Sequence, residues 1–215
     1  MKNIVLTAFA LSSLISFGAQ QALASDSSAP TMGNPSPGAA APDFNVVGQN
    51  GKSYKLSALK GKIVVLEWMN PGCPFSKAQY SGGNTQMLQK KYTAKGVIWL
   101  SVDSSAKGMQ GCMDSDQDAN NFISAKNASP TALVRDLNGS LGMPYGAKTT
   151  PHLFVIDAKG LLAYKGAMDD TPTTDPADIP KSHNWVSAAL DNLIAGKPVA
   201  VPETKPYGCG VKYAD

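Results

Sequence analysis

Cys73 is the residue of this chain best placed to do chemistry. It lies in the run Ile63-Val64-Val65-Leu66-Glu67-Trp68-Met69-Asn70-Pro71-Gly72-Cys73-Pro74-Phe75-Ser76, where an apolar, β-branched stretch passes into a segment with helical character. A cysteine at such a strand-to-helix turn sits among the unpaired N–H groups of a helix start, whose partial positive charge favours thiolate over thiol. Thiolate is the reactive form and attacks disulfides or peroxides near neutral pH. The alternative fate is a small buried hydrophobe; the position at the turn favours chemistry over packing.

Two more cysteines follow, Cys112 and Cys209. Three are too few for a disulfide scaffold, and an odd number leaves one thiol over. A chain of 215 residues can bury a core without staples, so the cysteines suit redox work better than bracing. Cys209 lies in Pro206-Tyr207-Gly208-Cys209-Gly210, a glycine-flanked and exposed-looking tail. Two fates are open to it: a mobile tail brings its thiol to Cys73 to resolve an intermediate, or a permanent disulfide ties the tail down. Cys112, in a polar loop, either resolves Cys73 or is a spare thiol, and the spare thiol is the favoured reading.

The elements that must hold these residues can be read from period and turn chemistry. Residues 44–47 and 53–56 flank Gly48-Gln49-Asn50-Gly51 and predict a small hairpin. Lys62 to Met69 is a nearly continuous apolar run, as in a strand buried on both faces. A helix follows Cys73, is interrupted at Gly82-Gly83, resumes with Asn84 as its cap and ends at Gly96. Residues 97–102 form a second buried strand, giving a β-α-β unit. Residues 103–117 read as loop, 118–126 as helix and 131–134 as a short strand. A hairpin joins 152–156 to 161–164 around Asp157-Ala158-Lys159-Gly160, and a last helix spans about 182–195. The order gives a single α/β domain with a central mixed sheet.

Residues 1–24 read as a secretory signal: Lys2, an apolar core from Ile4 to Phe17, and the small-residue site Ala22-Leu23-Ala24, with cleavage after Ala24. That core is shorter than the ~20 residues of a membrane span, and no later apolar stretch is long enough, so the mature chain is expected to be soluble and periplasmic. Residues 25–42, rich in Ser, Ala, Pro and Gly, read as a flexible tether. The globular domain is expected over 43–197, followed by the tail 198–215 that carries Cys209. The formal charge of +3 falls by one when Lys2 leaves, and the charges are interspersed. Nucleic acid and acidic membranes find no support as partners.

Trp68-Met69-Asn70-Pro71-Gly72-Cys73-Pro74-Phe75, combined with Ala147-Lys148-Thr149-Thr150-Pro151-His152-Leu153-Phe154-Val155-Ile156-Asp157, resembles the thioredoxin-like superfamily. More narrowly, it is similar to exported redoxins related to peroxiredoxins (AhpC/TSA-related) and to the membrane-associated thioredoxins of cytochrome maturation. The resemblance covers about residues 42–196 and implies a thioredoxin-like fold. It makes Cys73 the attacking cysteine. It makes Glu67 the buried carboxylate beneath the active site, able to trade protons with a thiol because burial raises its pKa. It makes Pro151 the proline that is cis in thioredoxins and lies against the sulfur, turning the Thr150 backbone towards it so that an incoming chain can pair there as a strand. From the residues alone, Glu67 could face solvent, and a trans bond is the default for Thr150-Pro151.

Two departures from the family pattern matter. Ser76 stands where thioredoxins have their second cysteine, so resolution must come from a distant thiol or another molecule. Peroxiredoxins place Thr or Ser three residues before the cysteine, Pro further back and an Arg near the sulfur. Here Asn70 and Leu66 take those places, Arg135 (the chain's one arginine) lies in another segment, and peroxidase activity is in doubt. Met109, Cys112, Met113, His152 and His183 are of the right types for Cu(I), but methionines are commonly core filler and the paired cysteines are missing, so no metal or other cofactor is expected.

These observations lead to a thiol–disulfide oxidoreductase in which Cys73 attacks, Glu67 manages protons, Pro151 shapes the groove, and Cys209 or an external reductant resolves. A periplasmic thioredoxin or a membrane thiol-electron transporter would reduce it, and a protein disulfide or a peroxide would be its substrate. The alternatives are a peroxiredoxin-like thiol peroxidase, and a non-catalytic or copper-binding module on the same fold.

Overall fold

The apolar run before Cys73 becomes the middle strand of a five-stranded sheet. The computed structural model describes residue 1 and residues 32–214. The chain forms a hairpin of β1 (Asn45–Val47) and β2 (Ser53–Lys55), then β3 (Val64–Trp68), α1 (Pro74–Ser81), α2 (Asn84–Thr93) and β4 (Ile98–Asp103). It continues through α3 (Asp116–Ala125), β5 (Ala132–Arg135), α4 (Gly142–Tyr145), β6 (Thr149–Thr150), β7 (His152–Ile156), β8 (Leu162–Gly166), α5 (Trp185–Ile194) and β9 (Cys209–Gly210).

The central sheet has the order β5-β4-β3-β7-β8. Strand β3 runs parallel to β4 and antiparallel to β7, while β5 is parallel to β4 and β8 antiparallel to β7. The sheet is therefore mixed, with β3 buried along its whole length. Side chains alternate across a strand, and the two faces collect separate cores. Leu66 and Trp68 pack with Leu100, Val102, Tyr145 and Phe154 under the N-terminal hairpin and α4. Val65 packs with Trp99 and Val155 under Leu88 and Tyr92 of α2 and Leu190 of α5. Glu67 shares the parity of Val65 and so points to the helix-covered face.

Local chemistry sets the boundaries and refines several expectations. Pro74 opens α1 at the first helical position, where its missing N–H costs nothing. Gly83, at φ +74°, rather than Asn84, occupies the cap of α2; the left-handed backbone required there is inexpensive only for glycine. The Asn84 amide instead donates to Gln79 Oε1 at 2.6 Å. Helix α3 begins earlier than 118, because Ser115 and Asp118 close a capping box. Helix α4 has only four residues, too few for an apolar period to reveal.

The expected signal segment 1–24 lies outside the described residues, apart from Met1. The described part of the expected tether does not hang free. The Gly33 N–H donates to Met143 O at 2.6 Å, Gly38 to Leu162 O at 2.7 Å and Ala41 to Gly160 O at 3.0 Å. The small residues let this backbone lie close against the β8 hairpin. Among the described residues no helix is long and apolar enough to cross a membrane.

Candidate active site

Cys73 is the N-cap of α1, with extended backbone at φ −76°, and only 1% of its surface is exposed. The turn before it is fastened by Asn70. Its Oδ1 accepts from the Gly72 N–H at 2.6 Å, and its amide donates to Ser105 Oγ at 3.0 Å and Gln110 O at 2.9 Å. Ser76, at the position of the missing second cysteine, is buried and accepts from the Asn70 N–H at 3.4 Å. Both residues hold the turn, and both hydrogens of the Asn70 amide are engaged in doing so.

The Thr150-Pro151 bond is cis, and the Cys73 thiol reaches Thr150 O at 3.0 Å. Strand β9 pairs antiparallel with β6, setting Cys209 opposite Thr150 and Gly210 opposite Thr149. That register brings the Cys209 sulfur within 2.6 Å of the Cys73 sulfur. The Cys112 thiol instead donates to Asp114 Oδ1 at 3.4 Å, and burial with the adjacent Asp114 pushes its pKa up to about 11.

The two facing thiols are unequal. Burial pushes the Cys73 thiol up, but hydrogen bonding from Cys209 and the Ser76 N–H at the helix start outweigh it and leave Cys73 below the ordinary cysteine value. Burial and the neighbouring Cys73 push Cys209 up to about 11. Of the two, Cys73 is therefore the more acidic thiol. The alkylation rate of Cys73 against pH should have its midpoint below the free-cysteine value of ~8.5. Replacing Cys209 by alanine, which cannot donate, should raise that midpoint, whereas serine should largely preserve it. A midpoint indifferent to the alanine change would mean that the donor is not what lowers it.

Glu67 is 1% exposed and receives four side chains. Trp99 Nε1 donates at 2.7 Å, Ser101 Oγ at 2.9 Å and Gln89 Nε2 at 3.1 Å to Oε2, while the Tyr80 hydroxyl donates to Oε1 at 3.1 Å. Cys73 is not among these partners. Burial raises the carboxyl's pKa against the pull of the four donors. A carboxyl raised on folding contributes its full stability below its unfolded value of about 4.3 and loses it as pH climbs through the folded value. Glutamine can keep its oxygen at the three-donor side and turn its amide to the Tyr80 oxygen. Glu67→Gln should therefore gain stability over the wild type as pH rises above ~4.3, until the folded carboxyl has itself ionised. Urea melts of both proteins at pH 4 to 8 measure this, and a constant gap would place the Glu67 carboxyl at ordinary acidity.

A third polar cluster was not foreseen. The Tyr207 hydroxyl donates to Asp169 Oδ1 at 2.6 Å and accepts from Gln79 Nε2 at 3.1 Å, and Gln79 also donates to Asp169 Oδ2 at 2.6 Å. The Tyr207 ring lies 5.8 Å from that of Phe75. One sequence signal was available for the Glu67 cradle: Ser101 interrupts the apolar run Ile98 to Val102, and parallel register sets it opposite Glu67. For the Tyr207 cluster there was none.

Three of the residues weighed for Cu(I) have partners of other kinds. Met113 packs with Met69, Tyr80 and Leu133, the His152 ring lies 4.4 Å from Phe154, and His183 lies 4.4 Å from Trp185. Burial pushes His152 down to about 3. Arg135 pairs with Asp116 at 2.8 Å and donates to Asp114 O at 3.0 Å.

With α1 springing from Cys73 beneath the Thr150 carbonyl, on a mixed sheet of this order, the molecule is a thioredoxin-like redoxin. It belongs to the AhpC/TSA family, whose model matches residues 37–165. That span takes in Glu67, Cys73 and Pro151 and leaves Cys209 outside. Among curated proteins no relative matches the chain. Among solved structures, a hypothetical protein of Sinorhizobium meliloti is similar at 20% identity and TM-score 0.67, over 83% of this chain and 95% of that one. An uncharacterized conserved protein of Geobacillus kaustophilus has 24% identity and TM-score 0.66, over 83% and 93%. A Chlorobium tepidum protein assigned as a thiol:disulfide interchange protein DsbE has 26% identity and TM-score 0.53, over 73% and 99%. Family and fold together are those of a thioredoxin-like redox protein.

Proposed function

We propose that this protein is an exported thiol–disulfide oxidoreductase in which Cys73 attacks and Cys209 resolves. The observation that carries the reading is the 2.6 Å approach of the two sulfurs, with the lowered pKa on the residue at the helix start. The Cys73 thiolate attacks one sulfur of a substrate disulfide, forming a mixed disulfide and releasing the first substrate thiolate. Cys209, once deprotonated, attacks the Cys73 sulfur, closing a Cys73–Cys209 disulfide and releasing the second. Two electrons pass from the enzyme dithiol to the substrate, and an external dithiol restores the enzyme by the reverse exchange. The redox partner of the fold, a periplasmic thioredoxin or membrane thiol-electron transporter, is assigned on the resemblance and on the export signal read at residues 1–24. Similarity to the Chlorobium tepidum DsbE-type protein supports disulfide exchange as the reaction.

Pro151 borders the groove next to Thr150, and Glu67 is assigned the proton traffic. Glu67→Gln tests that share: its exchange rate should lose the pH dependence that the titrating carboxyl imposes, and an unchanged profile would leave Glu67 a purely structural acid.

Membership of the AhpC/TSA family supports a second reading, peroxide reduction. There Cys73 attacks a peroxide oxygen, an alcohol or water leaves, and the Cys209 thiol condenses with the sulfenic acid to release water. With Asn70 and Arg135 engaged elsewhere, disulfide exchange is the stronger reading. Rates of the reduced protein with a peptide disulfide and with hydrogen peroxide separate the two. A peroxide rate that dominates would replace the first reading with the second.

A further inference from the structure

The segment that carries Cys209 fills the place where a substrate chain would have to lie. Strand β9 takes the pairing edge of β6 beside Cys73, and the Val211 N–H extends that pairing by donating to Lys148 O at 3.1 Å. Gly208 is pressed against Thr150. Its φ is +122°, and a Cβ there would run into the Thr150 carbonyl, so glycine alone allows this approach. Further contacts seat the segment on either side. Ala106 N–H donates to Lys212 O at 2.7 Å, and the Tyr213 hydroxyl donates to Ala147 O at 3.0 Å. The strongest anchor is Tyr207, whose hydroxyl enters the pair Asp169 and Gln79, each only 1% exposed. Beneath this cover Cys73 keeps 1% of its surface, too little for an external disulfide to reach its sulfur.

We propose that residues 207–210 are a built-in mimic of the substrate strand, a plug latched by Tyr207 that must lift before any outside chain can pair with Thr149–Thr150 and reach Cys73. The proposal rests on the reading of Cys73 as the attacking thiol. It adds a gate to that reading: Cys209 leaves with the plug to admit the substrate and returns with it to resolve. The groove then accepts extended segments, which can replace a strand through backbone pairing, in preference to disulfides fixed within folded surfaces.

The latch can be weakened without touching the sulfur chemistry. In the full-length mature chain carrying Cys209→Ser, two further changes are made separately. Tyr207→Phe keeps the ring on Phe75 but removes the hydroxyl from Asp169 and Gln79. Gly208→Ala forces the backbone off the Thr150 carbonyl. The probe is a peptide with the sequence of residues 206–211, its cysteine activated as a mixed disulfide with 2-thiopyridine. The Cys73 thiolate attacks the peptide sulfur, a Cys73–peptide disulfide forms, and pyridine-2-thione leaves and is read by its absorbance. Intact mass and peptide mapping give the separate rates at Cys73 and Cys112, and Cys112 reports general loosening of the fold.

Both variants should label Cys73 about tenfold or more faster than the Cys209→Ser parent, Tyr207→Phe through the lost hydrogen bond to a buried carboxylate and Gly208→Ala through the clash of its Cβ with the Thr150 carbonyl, with the Cys112 rate unchanged. Equal, readily measurable Cys73 rates in all three proteins would overturn the plug and leave the thiol enzyme standing. A parallel rise at Cys73 and Cys112 would overturn it too, as simple loosening of the fold. A Cys73 inert to the probe in every protein, while Cys112 reacts, would remove the attacking-thiol reading and the plug with it.

Discussion

Cys73→Ser abolishes disulfide exchange, lowering the rate by about three orders of magnitude or more towards the uncatalysed level. A serine hydroxyl at the start of α1 does not ionise near neutral pH, so the groups that favour a thiolate there, the Ser76 N–H and the Cys209 thiol, have nothing to stabilise. The matching change at Cys112 should leave the rate within a factor of about two, since a thiol whose pKa is pushed up to about 11 is protonated at neutral pH and sits against Asp114. Insulin reduction in the presence of dithiothreitol measures both. Comparable losses from the two substitutions would move the chemistry away from the helix start.

Cys209→Ser stops the cycle after its first step. Cys73 still attacks, because serine preserves a donor beside it, but the mixed disulfide has no neighbouring thiol to close on. One equivalent of substrate thiol should be released, with the adduct visible on Cys73 by intact mass. Steady turnover should then depend on external thiol and fall by about a thousandfold at millimolar concentrations, since a neighbour already in contact acts at a far higher effective concentration than a solute. The wild type, treated with an oxidised peptide, should instead lose two hydrogens and yield one mapped peptide pair joining Cys73 to Cys209. Full turnover by Cys209→Ser without added thiol would show that another group resolves Cys73.

The two changes also bear on the C-terminal segment as a whole. The AhpC/TSA match ends at residue 165, and the chain beyond it supplies Cys209, Tyr207 and the strand that pairs with β6. The features that most distinguish this site are thus carried by residues outside the matched domain.

What the residues disclose by themselves is local. The β-branched run into Asn70-Pro71-Gly72-Cys73-Pro74 specifies a buried strand, a turn and a helix start, because strand period, turn residues and a proline at the first helical position act within a few residues of one another. The hairpins at 45–55 and 152–166 are legible for the same reason. Thr150-Pro151 was marked for the groove only through its resemblance to a family, since nothing in the dipeptide itself selects the cis bond. The tail was a different matter. Its glycines read as mobility, yet at Gly208 the missing Cβ is what permits close packing on Thr150; freedom of backbone and closeness of approach are the same chemical property seen without and with a neighbour. Cys209 meets Cys73 across 136 residues of sequence, and Glu67 finds its donors on α1, α2 and β4. Neither meeting has a local signature. They follow from sheet order, from the register that sets Ser101 beside Glu67 and Cys209 opposite Thr150, and from the space left for the segment to lie in, all of which exist only once the chain has packed.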